Sequence, residues 1–292
     1  MNRVPARRAL EEIDQAARRL AASGIESARL DAELLIAAAA GVTREAAITG
    51  SIDLSPATLD KFDAMIVRRE KREPIAYLIG RKEFYSLDFE VSPAVLIPRP
   101  ETELVVDAAL RFIAGAPDAR VLDIGTGSGA IAIAIAVNAR RVRVTAVDIS
   151  AGAIASASRN ARRHQVEDRV TFRRADCFDI LDGGAALESF DLIVSNPPYL
   201  DDAEIAALEP EVRAFEPRAA LSAGAGGLDV LRRIAAGAPG HLASEGELIV
   251  EVAEGHAAAV AKLIEEAGLR AVSVINDLAG HPRVVRARRS GA

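Results

Sequence analysis

From Arg120 onward the chain alternates short, mostly apolar runs of strand length with alanine-rich stretches of helical length, and this alternation restricts the fold more than any other feature. Residues 120–124, 142–147, 170–174, 192–195 and 247–252 read as strands, with helical patterns near 130–139, 151–164 and 228–236. Strands joined through helices run parallel, because a crossover of a dozen or more residues is what returns the chain to a sheet in the same direction. The expected architecture is therefore α/β, a doubly wound sheet with helices on both faces. Beyond a further helix near 256–267, residues 271–275 and 283–288 bring the strands to seven. Too few residues separate these last two for a crossover, so they are predicted to pair antiparallel.

The chain ahead of that region follows another period. Between residues 9 and 71 apolar side chains recur at helical spacing, Leu10, Ile13, Ala17 and Leu20 among them, with Gly24, Gly41 and Ser55-Pro56 as punctuation. A small bundle of about four helices is predicted, ended by Pro74. Residues 75–92 alternate apolar and polar side chains around Gly80, which predicts a β-hairpin connector. The expected organisation is a helical bundle over 1–73, a hairpin over 74–92 and the α/β domain over 93–292.

At 292 residues the chain is long enough to bury two cores. Its 36 basic and 42 acidic side chains give a net charge of −6, without the cationic excess of a protein held on nucleic acid through phosphates. The aromatic residues are 8 Phe and 3 Tyr with no Trp, too few for a base-stacking platform. A single cysteine, Cys177, excludes an internal disulfide and a multi-thiolate centre, and the four histidines have no ligand spacing, so no metal is expected. No apolar run approaches the ~20 residues that span a bilayer. A cytoplasmic protein with neither a membrane nor a direct nucleic-acid contact is expected.

Val121-Leu-Asp-Ile-Gly-Thr-Gly-Ser-Gly129 leaves a predicted strand and enters a predicted helix. Gly125, Thr126, Gly127, Ser128 and Gly129 form a loop whose glycines permit sharp turns and close approach of the backbone to a ligand. Gly125-x-Gly127-x-x-Ala130 also satisfies the dinucleotide pattern, and no Gly-Lys-Ser/Thr of a P-loop follows. Asp123, ahead of the first glycine, would repel a diphosphate and attract an ammonium such as that of a methionine moiety. Asp148 ends the next strand, where a carboxylate accepts from both hydroxyls of a ribose. The two acids lean towards S-adenosylmethionine and leave a nicotinamide cofactor open. After the third strand, Asp176 is placed to accept an adenine amino group while the Cys177 N–H donates to a ring nitrogen; a loop cap explains either residue equally well. Cys177 has no activating partner nearby in sequence, so it is not expected to act as a nucleophile.

Ser195-Asn196-Pro197-Pro198-Tyr199 follows the fourth predicted strand. Two prolines supply carbonyl acceptors and no N–H, and the first restricts Asn196 to an extended conformation. Such a site receives a group that donates hydrogen bonds, a planar –NH2 for example.

Together with Asp123-x-Gly-x-Gly-x-Gly129, the Asn196–Tyr199 tetrad resembles S-adenosylmethionine-dependent N-methyltransferases of planar amino and amide nitrogens. Further segments narrow the resemblance: Ala28-Arg-Leu-Asp-Ala-Glu-Leu-Leu35, Arg72-Glu-Pro-Ile-Ala-Tyr-Leu-Ile-Gly80, Phe84-Tyr-Ser-Leu-Asp-Phe89, Ile97-Pro-Arg-Pro-Glu-Thr-Glu103, Phe215-Glu-Pro217 and Asp277-Leu-Ala-Gly-His-Pro-Arg-Val284. Over nearly its whole length the chain is similar to the peptide chain release factor glutamine methyltransferases of the HemK/PrmC type. That resemblance implies a Rossmann-like, seven-stranded methyltransferase domain, S-adenosylmethionine as cofactor, and a monomer. It implies as partner and substrate a bacterial-type release factor, methylated on the side-chain amide of its Gly-Gly-Gln glutamine and gripped by the helical bundle. By position, Asn196 would hold the amide NH2 through its side-chain oxygen, the Pro197 carbonyl would take the second hydrogen, and Tyr199 would pack against the amide plane. Asn196, Pro197 and Tyr199 are then the catalytic set, with Pro198 joining them in binding the substrate. Gly125, Thr126, Gly127, Ser128, Gly129, Asp148, Asp176, Cys177 and Asn196 are the cofactor set.

Some positions depart from the family pattern. Cys177 stands where an aromatic often follows the acid, leaving Phe178 as a candidate to stack on adenine. Ala253 replaces the glycine of Glu-x-Gly after the fifth strand, which weakens a role for Glu251. Arg99, Glu101 and Glu103 either close over the cofactor or belong to a helix that Pro100 starts. An adenine-N6 methyltransferase of nucleic acid would use the same tetrad, and a nicotinamide-dependent dehydrogenase would use the glycine loop alone. A non-catalytic scaffold would have no need of the tetrad.

Overall fold

The computed structural model of the protein describes residues 3–4, 6–49, 52–179 and 189–291. The chain divides into two compact units, Met1–Arg81 with Glu209–Phe215, and Lys82–Leu208 with Glu216–Ala292.

The first unit holds helices α1 (Ala6–Ala22), α2 (Ala28–Ala40), α3 (Arg44–Thr49), α4 (Pro56–Glu70) and α5 (Ile75–Ile79). Local chemistry sets their ends. The Ser55 hydroxyl accepts from the Thr58 N–H ahead of Pro56 at the start of α4, and Gly41 closes α2 in the left-handed conformation. Ile13, Leu20, Leu35, Ile36, Phe62 and Ile66 fill the core. A short helix, Pro210–Phe215, belongs to this unit although it lies far along the chain. The buried Arg69 guanidinium fastens it, donating to Asp31 at 2.7 Å and to Glu211 at 2.9 Å. A sequence pattern read continuously through residue 73 contains no trace of this late segment.

The hairpin is shorter than predicted and turns elsewhere. Gly80 does not sit at its tip: it caps α5 at φ +80°, its N–H donating to the Ala76 carbonyl. Strands β1 (Arg81–Phe84) and β2 (Leu87–Glu90) turn at Tyr85 and Ser86, both left-handed at φ 52° and 59°, as a type I′ turn requires. Neither residue is glycine, and hydrogen bonds offset the strain. The Tyr85 N–H donates to Glu103 at 2.8 Å, the Ser86 N–H to Glu83 at 2.6 Å, and the Tyr85 hydroxyl to Asp107 at 2.7 Å.

Seven strands form the main sheet of the second unit: β3 (Arg120–Ile124), β4 (Arg143–Asp148), β5 (Val170–Arg174), β6 (Phe190–Ser195), β7 (Leu242–Glu251), β8 (Arg270–Asn276) and β9 (Pro282–Arg288). Their order is β8-β9-β7-β6-β3-β4-β5, with β3 to β7 parallel and β9 antiparallel to both its neighbours, as the short connection between the last two strands demands. Successive residues feed opposite faces. Val121, Val194 and Ile249 pack with α6 (Glu103–Gly115), α7 (Ala130–Asn138) and α8 (Ala151–Arg163). Leu122, Ile193 and Val250 pack with α9 (Asp229–His241) and α10 (Ala257–Glu266). Helix α7 alternates Ala and Ile, a two-residue period that alone suits a strand; it is a helix buried on every side from Ala130 to Ala136. Helix α6 has no counterpart among the predicted elements beyond the start suggested at Pro100.

Pairing register decides where the site lies. Ile124 is opposite Val147 on one side and Ser195 on the other, so β3, β4 and β6 end level. The chain leaves β3 for β4 on one flank and later returns to β6 on the other. This switch point opens the crevice that α/β sheets use for ligands, beyond the carboxyl ends of the strands.

The turn out of β3 depends on Gly129, which sits at φ +83° where a Cβ would lie 2.8 Å from Ile133 Cδ1 and 3.1 Å from Ala157 Cβ. Gly129→Ala is expected to cost about 1–3 kcal/mol from overpacking, with backbone strain in addition. A lowered urea midpoint at unchanged slope is the expected result; an unchanged midpoint would show that the turn tolerates the methyl group.

Candidate active site

A cavity of about 370 Å3 occupies the switch point, within the ~300–1,000 Å3 range of small-molecule sites. Of the residues singled out from sequence, Gly125, Gly127, Asp148, Asp176, Cys177, Asn196, Pro197 and Pro198 line it. Thr126, Ser128, Gly129 and Tyr199 do not; the first three hold the loop in shape.

The loop is built from backbone hydrogen bonds and two buried side chains. Gly125 N–H and Thr126 N–H both donate to the Val147 carbonyl, at 2.9 and 3.0 Å, which bends the chain across the end of β4. The Thr126 hydroxyl donates to Asp123 at 2.7 Å. Asn160, wholly buried on α8, donates from Nδ2 to the Ser128 carbonyl at 2.9 Å and the Glu90 carbonyl at 3.0 Å, and accepts from the Glu90 N–H at 2.8 Å. Asn160 was not legible in the sequence, because an asparagine inside an amphipathic helix carries no sign of what it will meet.

The acids divide by environment. Asp123 is fully buried and absent from the cavity wall; its Oδ2 accepts from Thr126, and its Oδ1 has no hydrogen-bond partner. Burial pushes its carboxyl up to about 7, against the Thr126 hydrogen bond and with help from the negative charge of Asp148. Asp148 is on the wall. Gly127 N–H donates to its Oδ2 at 2.9 Å and Ser150 N–H to its Oδ1 at 2.8 Å, so each oxygen keeps acceptor capacity for a diol. Burial raises its pKa while these two backbone donors lower it. Asp176 is paired with Arg233 at 3.0 Å. Burial pushes the Cys177 thiol up to about 11, leaving it neutral at pH 7 and a poor nucleophile. Phe178 is not free to stack on a ligand: its ring lies against His241, centroids 4.4 Å apart and 15° from parallel. The apolar surface offered instead is Ile149, which is 55% exposed beside Asp148 on the cavity wall.

At the tetrad, the Ser195 hydroxyl donates to the Ile124 carbonyl at 2.7 Å, tying the ends of β6 and β3 together. Asn196 Nδ2 donates to the Thr102 hydroxyl at 2.9 Å. Tyr199 is absent from the cavity wall and packs against the core on the α9–α10 side of the sheet, and burial pushes its phenol up to about 12. Glu251, at the end of β7, is itself buried, its Oε2 has no hydrogen-bond partner, and burial pushes it up to about 7. Glu216 accepts from the Ile97 N–H at 3.2 Å and from Arg99, joining the Ile97–Glu103 and Glu216-Pro217 segments that sequence could only set side by side.

The cavity fits S-adenosylmethionine in its parts: a bare backbone at Gly127 where a Cβ would meet no atom within 4 Å, an acid for a ribose diol, and an apolar wall. A cavity of this kind at the head of a sheet of this order belongs to the S-adenosylmethionine-dependent methyltransferases, and that is the class of the protein. Family models match as "PrmC N-terminal domain" over residues 11–80 and "Methyltransferase small domain" over residues 105–210. The release factor glutamine methyltransferase of Geobacter sulfurreducens is 44% identical over 270 residues, 92% of this chain and 92% of the relative. That of Pseudomonas aeruginosa is 46% identical over 259 residues, 88% of this chain and 91% of the relative. The chain belongs to the release factor glutamine methyltransferase family. Among solved structures, the hMettl16 catalytic domain in complex with MAT2A 3′UTR hairpin 6 superposes with a TM-score of 0.55 at 14% identity, covering 82% of this chain and 85% of that one. The T. thermophilus 16S rRNA N2 G1207 methyltransferase in complex with AdoMet and guanosine gives 0.52 at 19% identity, covering 72% and 49%. These two likenesses concern the fold alone. No helix among the described residues is long and apolar enough to cross a membrane, and no cluster of three metal-ligating side chains occurs among them.

Asp123 makes stability depend on pH. Its folded value, about 7, lies above the ordinary 3.8, so its contribution to stability is fully present below pH 3.8 and is lost as pH rises through about 7. Asp123→Asn, which keeps an acceptor for Thr126, is expected to flatten the fall in melting temperature across that window. Parallel profiles for the two proteins would mean that the carboxyl is ionised in the fold without cost.

Proposed function

We propose that this protein methylates the side-chain amide nitrogen of the Gly-Gly-Gln glutamine of a peptide chain release factor, with Asn196 as the residue that holds the amide. The observation that carries the reading is the commitment of Asn196 Nδ2 to Thr102 at 2.9 Å, which leaves the side-chain oxygen of Asn196 as an acceptor. Next to it Pro197 and Pro198 contribute carbonyls and no N–H, so the cavity edge favours a planar group with two hydrogens to donate. Membership of the release factor glutamine methyltransferase family supports an amide, rather than an adenine, as that group. The net charge of −6 supports a protein substrate over a nucleic acid, and a release factor as substrate places the reaction in the cytoplasm, where the protein is read as a monomer.

S-adenosylmethionine supplies an electrophilic methyl group. An amide nitrogen is a weak nucleophile because its lone pair is delocalised into the carbonyl, so the main task of the protein is to orient it. Asn196 and the Pro197 carbonyl each take one N–H, which fixes the nitrogen in place and favours its lone pair turning out of conjugation. Asp148 would hold the ribose hydroxyls, Gly125 and Gly127 would border the cofactor with bare backbone, and Ile149 would offer it an apolar surface. Asp176, already paired with Arg233, has less to offer the adenine amino group, and the Cys177 N–H remains available to a ring nitrogen. No strong base is required, since an N-methylated amide cation is acidic enough to lose its proton to water. A neutral Cys177 thiol and a Tyr199 phenol raised to about 12 agree with a site without one. The helical unit is assigned to gripping the rest of the release factor.

Incubating purified release factors with the enzyme and cofactor should add one methyl group, located by mass spectrometry on the Gly-Gly-Gln glutamine; methyl transfer to DNA or RNA instead would overturn the reading. Asn196→Ala is expected to lower kcat by about 10²-fold or more, the scale for loss of one preorganised polar group, while cofactor affinity changes little. Asp148→Ala should weaken cofactor binding by about 1.5–3 kcal/mol, as for a lost hydrogen bond to a charged group. Calorimetry with the cofactor alone checks this, and an unchanged Kd would remove Asp148 from the ribose site.

A further inference from the structure

An adenine ring has two flat faces to cover, and among the described residues no Phe, Tyr, Trp or His lines the cavity. Phe178, the ring next to the expected adenine contact, is held against His241. The place of the base follows from that of the ribose. Asp148 ends β4 opposite Arg174 of β5, and the Ala175 N–H donates to the Asp148 carbonyl at 3.0 Å, so the turn at Asp176 and Cys177 starts beside Asp148. A base attached to a ribose at Asp148 then has Ile149 and the Asp176–Cys177 turn as its nearest walls. One further residue of that wall carries a planar group, Arg233 on α9. Its Nη1 lies 3.1 Å from Asp176 Oδ2 and 3.0 Å from Oδ1, and its side chain is 47% exposed, so no other side chain covers the guanidinium. Ile149 leads into α8 while Arg233 lies on α9, and these helices pack on opposite faces of the sheet. The two residues therefore approach the crevice beyond the strand ends from opposite sides.

We propose that the Arg233 guanidinium stacks on the adenine of S-adenosylmethionine, across from Ile149, in the place of an aromatic ring, and that Asp176 serves the base by fixing that guanidinium rather than by accepting the adenine amino group. A guanidinium is planar, delocalised and more weakly hydrated than an ammonium, so it lies flat on an aromatic face with little loss of solvation. The pairing with Asp176 helps in two ways. It holds a long side chain in one place before the cofactor arrives, which lessens the entropy lost on binding. Its negative charge also offsets that of the guanidinium, so the site does not repel the cationic sulfonium of the cofactor. Asp176, with both oxygens turned to Arg233 Nη1, is correspondingly committed. The inference rests on the placement of the ribose at Asp148 given above and is independent of the methyl acceptor.

The test is calorimetry on the full-length enzyme with S-adenosylhomocysteine and, separately, with adenosine, for Arg233→Lys, Asp176→Ala and Asp148→Ala, each first checked for wild-type melting. Arg233→Lys keeps a cation for Asp176 and removes the plane. It is expected to weaken both ligands by the same factor, about 3–30-fold, the scale of a cation held on an aromatic face. Asp176→Ala should cost less than Arg233→Lys, because the plane remains; the reverse order is what an Asp176 that accepts the adenine amino group would give, and it would overturn the proposal. A second measurement needs no variant to bind. The δ-methylene protons of Arg233 in the wild type, assigned by their absence from Arg233→Lys, should move upfield when adenosine saturates the protein, through the ring current of the stacked base. An unchanged Kd in Arg233→Lys, or Arg233 resonances that stay in place, would also overturn it. Asp148→Ala separates the two readings: if it weakens binding while Arg233→Lys does not, the stacking alone fails; if only Arg233→Lys weakens binding, the ribose placement alone fails; and if neither does, both fail.

Discussion

The parallel pairing of β3 with β4 on one flank and β6 on the other is the constraint on which the rest of the methyltransferase unit depends. Because Ile124 is opposite both Val147 and Ser195, three strands end at one level, and their following loops have nowhere to go but around a common crevice. The glycine loop arches over the end of β4 through two hydrogen bonds to one carbonyl, and the Ser195 hydroxyl ties β6 to β3. A shift of one residue in either pairing would turn every side chain of the strand to the other face and exchange the contents of the two cores, so the hydrophobic pattern protects the geometry of the site.

Within that frame, burial and hydrogen bonding sort carboxyl groups that look alike in sequence. Asp123 and Asp148 follow each other at successive strand ends, yet one is sealed under the loop and the other faces the cavity. Asp176 is paired with Arg233, whereas Glu251 is buried with an oxygen that has no partner. In a low-dielectric interior such differences decide which acid is held ionised, which is poised near neutrality, and which oxygen is left to accept from a ligand.

Local signals carried much of the fold because they act over a few residues. The strand at 120–124, the antiparallel last pair and the helix starting at Ala130 follow from apolar runs, connection lengths and the glycine turn. The hairpin was misplaced because Gly80 has the same conformational meaning at a helix end as at a turn tip. The actual turn uses Tyr85 and Ser86, which take left-handed φ on the strength of Glu103, Asp107 and Glu83. Two of those three partners lie on α6, outside the hairpin itself, so no local rule could find them.

By itself the sequence determined the class of fold, the two ends of the site and the identity of the tetrad, since period, connection length and the donor and acceptor inventory of each residue are properties of short segments. Tertiary structure alone decided which oxygen of which acid is free, that Phe178 is spent on His241, that Glu209–Phe215 belongs with the helices, and that Thr102 meets Asn196. These depend on meetings between residues some 50 to 150 positions apart, and the burial and hydrogen-bond pairing that such meetings impose is written in no segment of the chain taken alone.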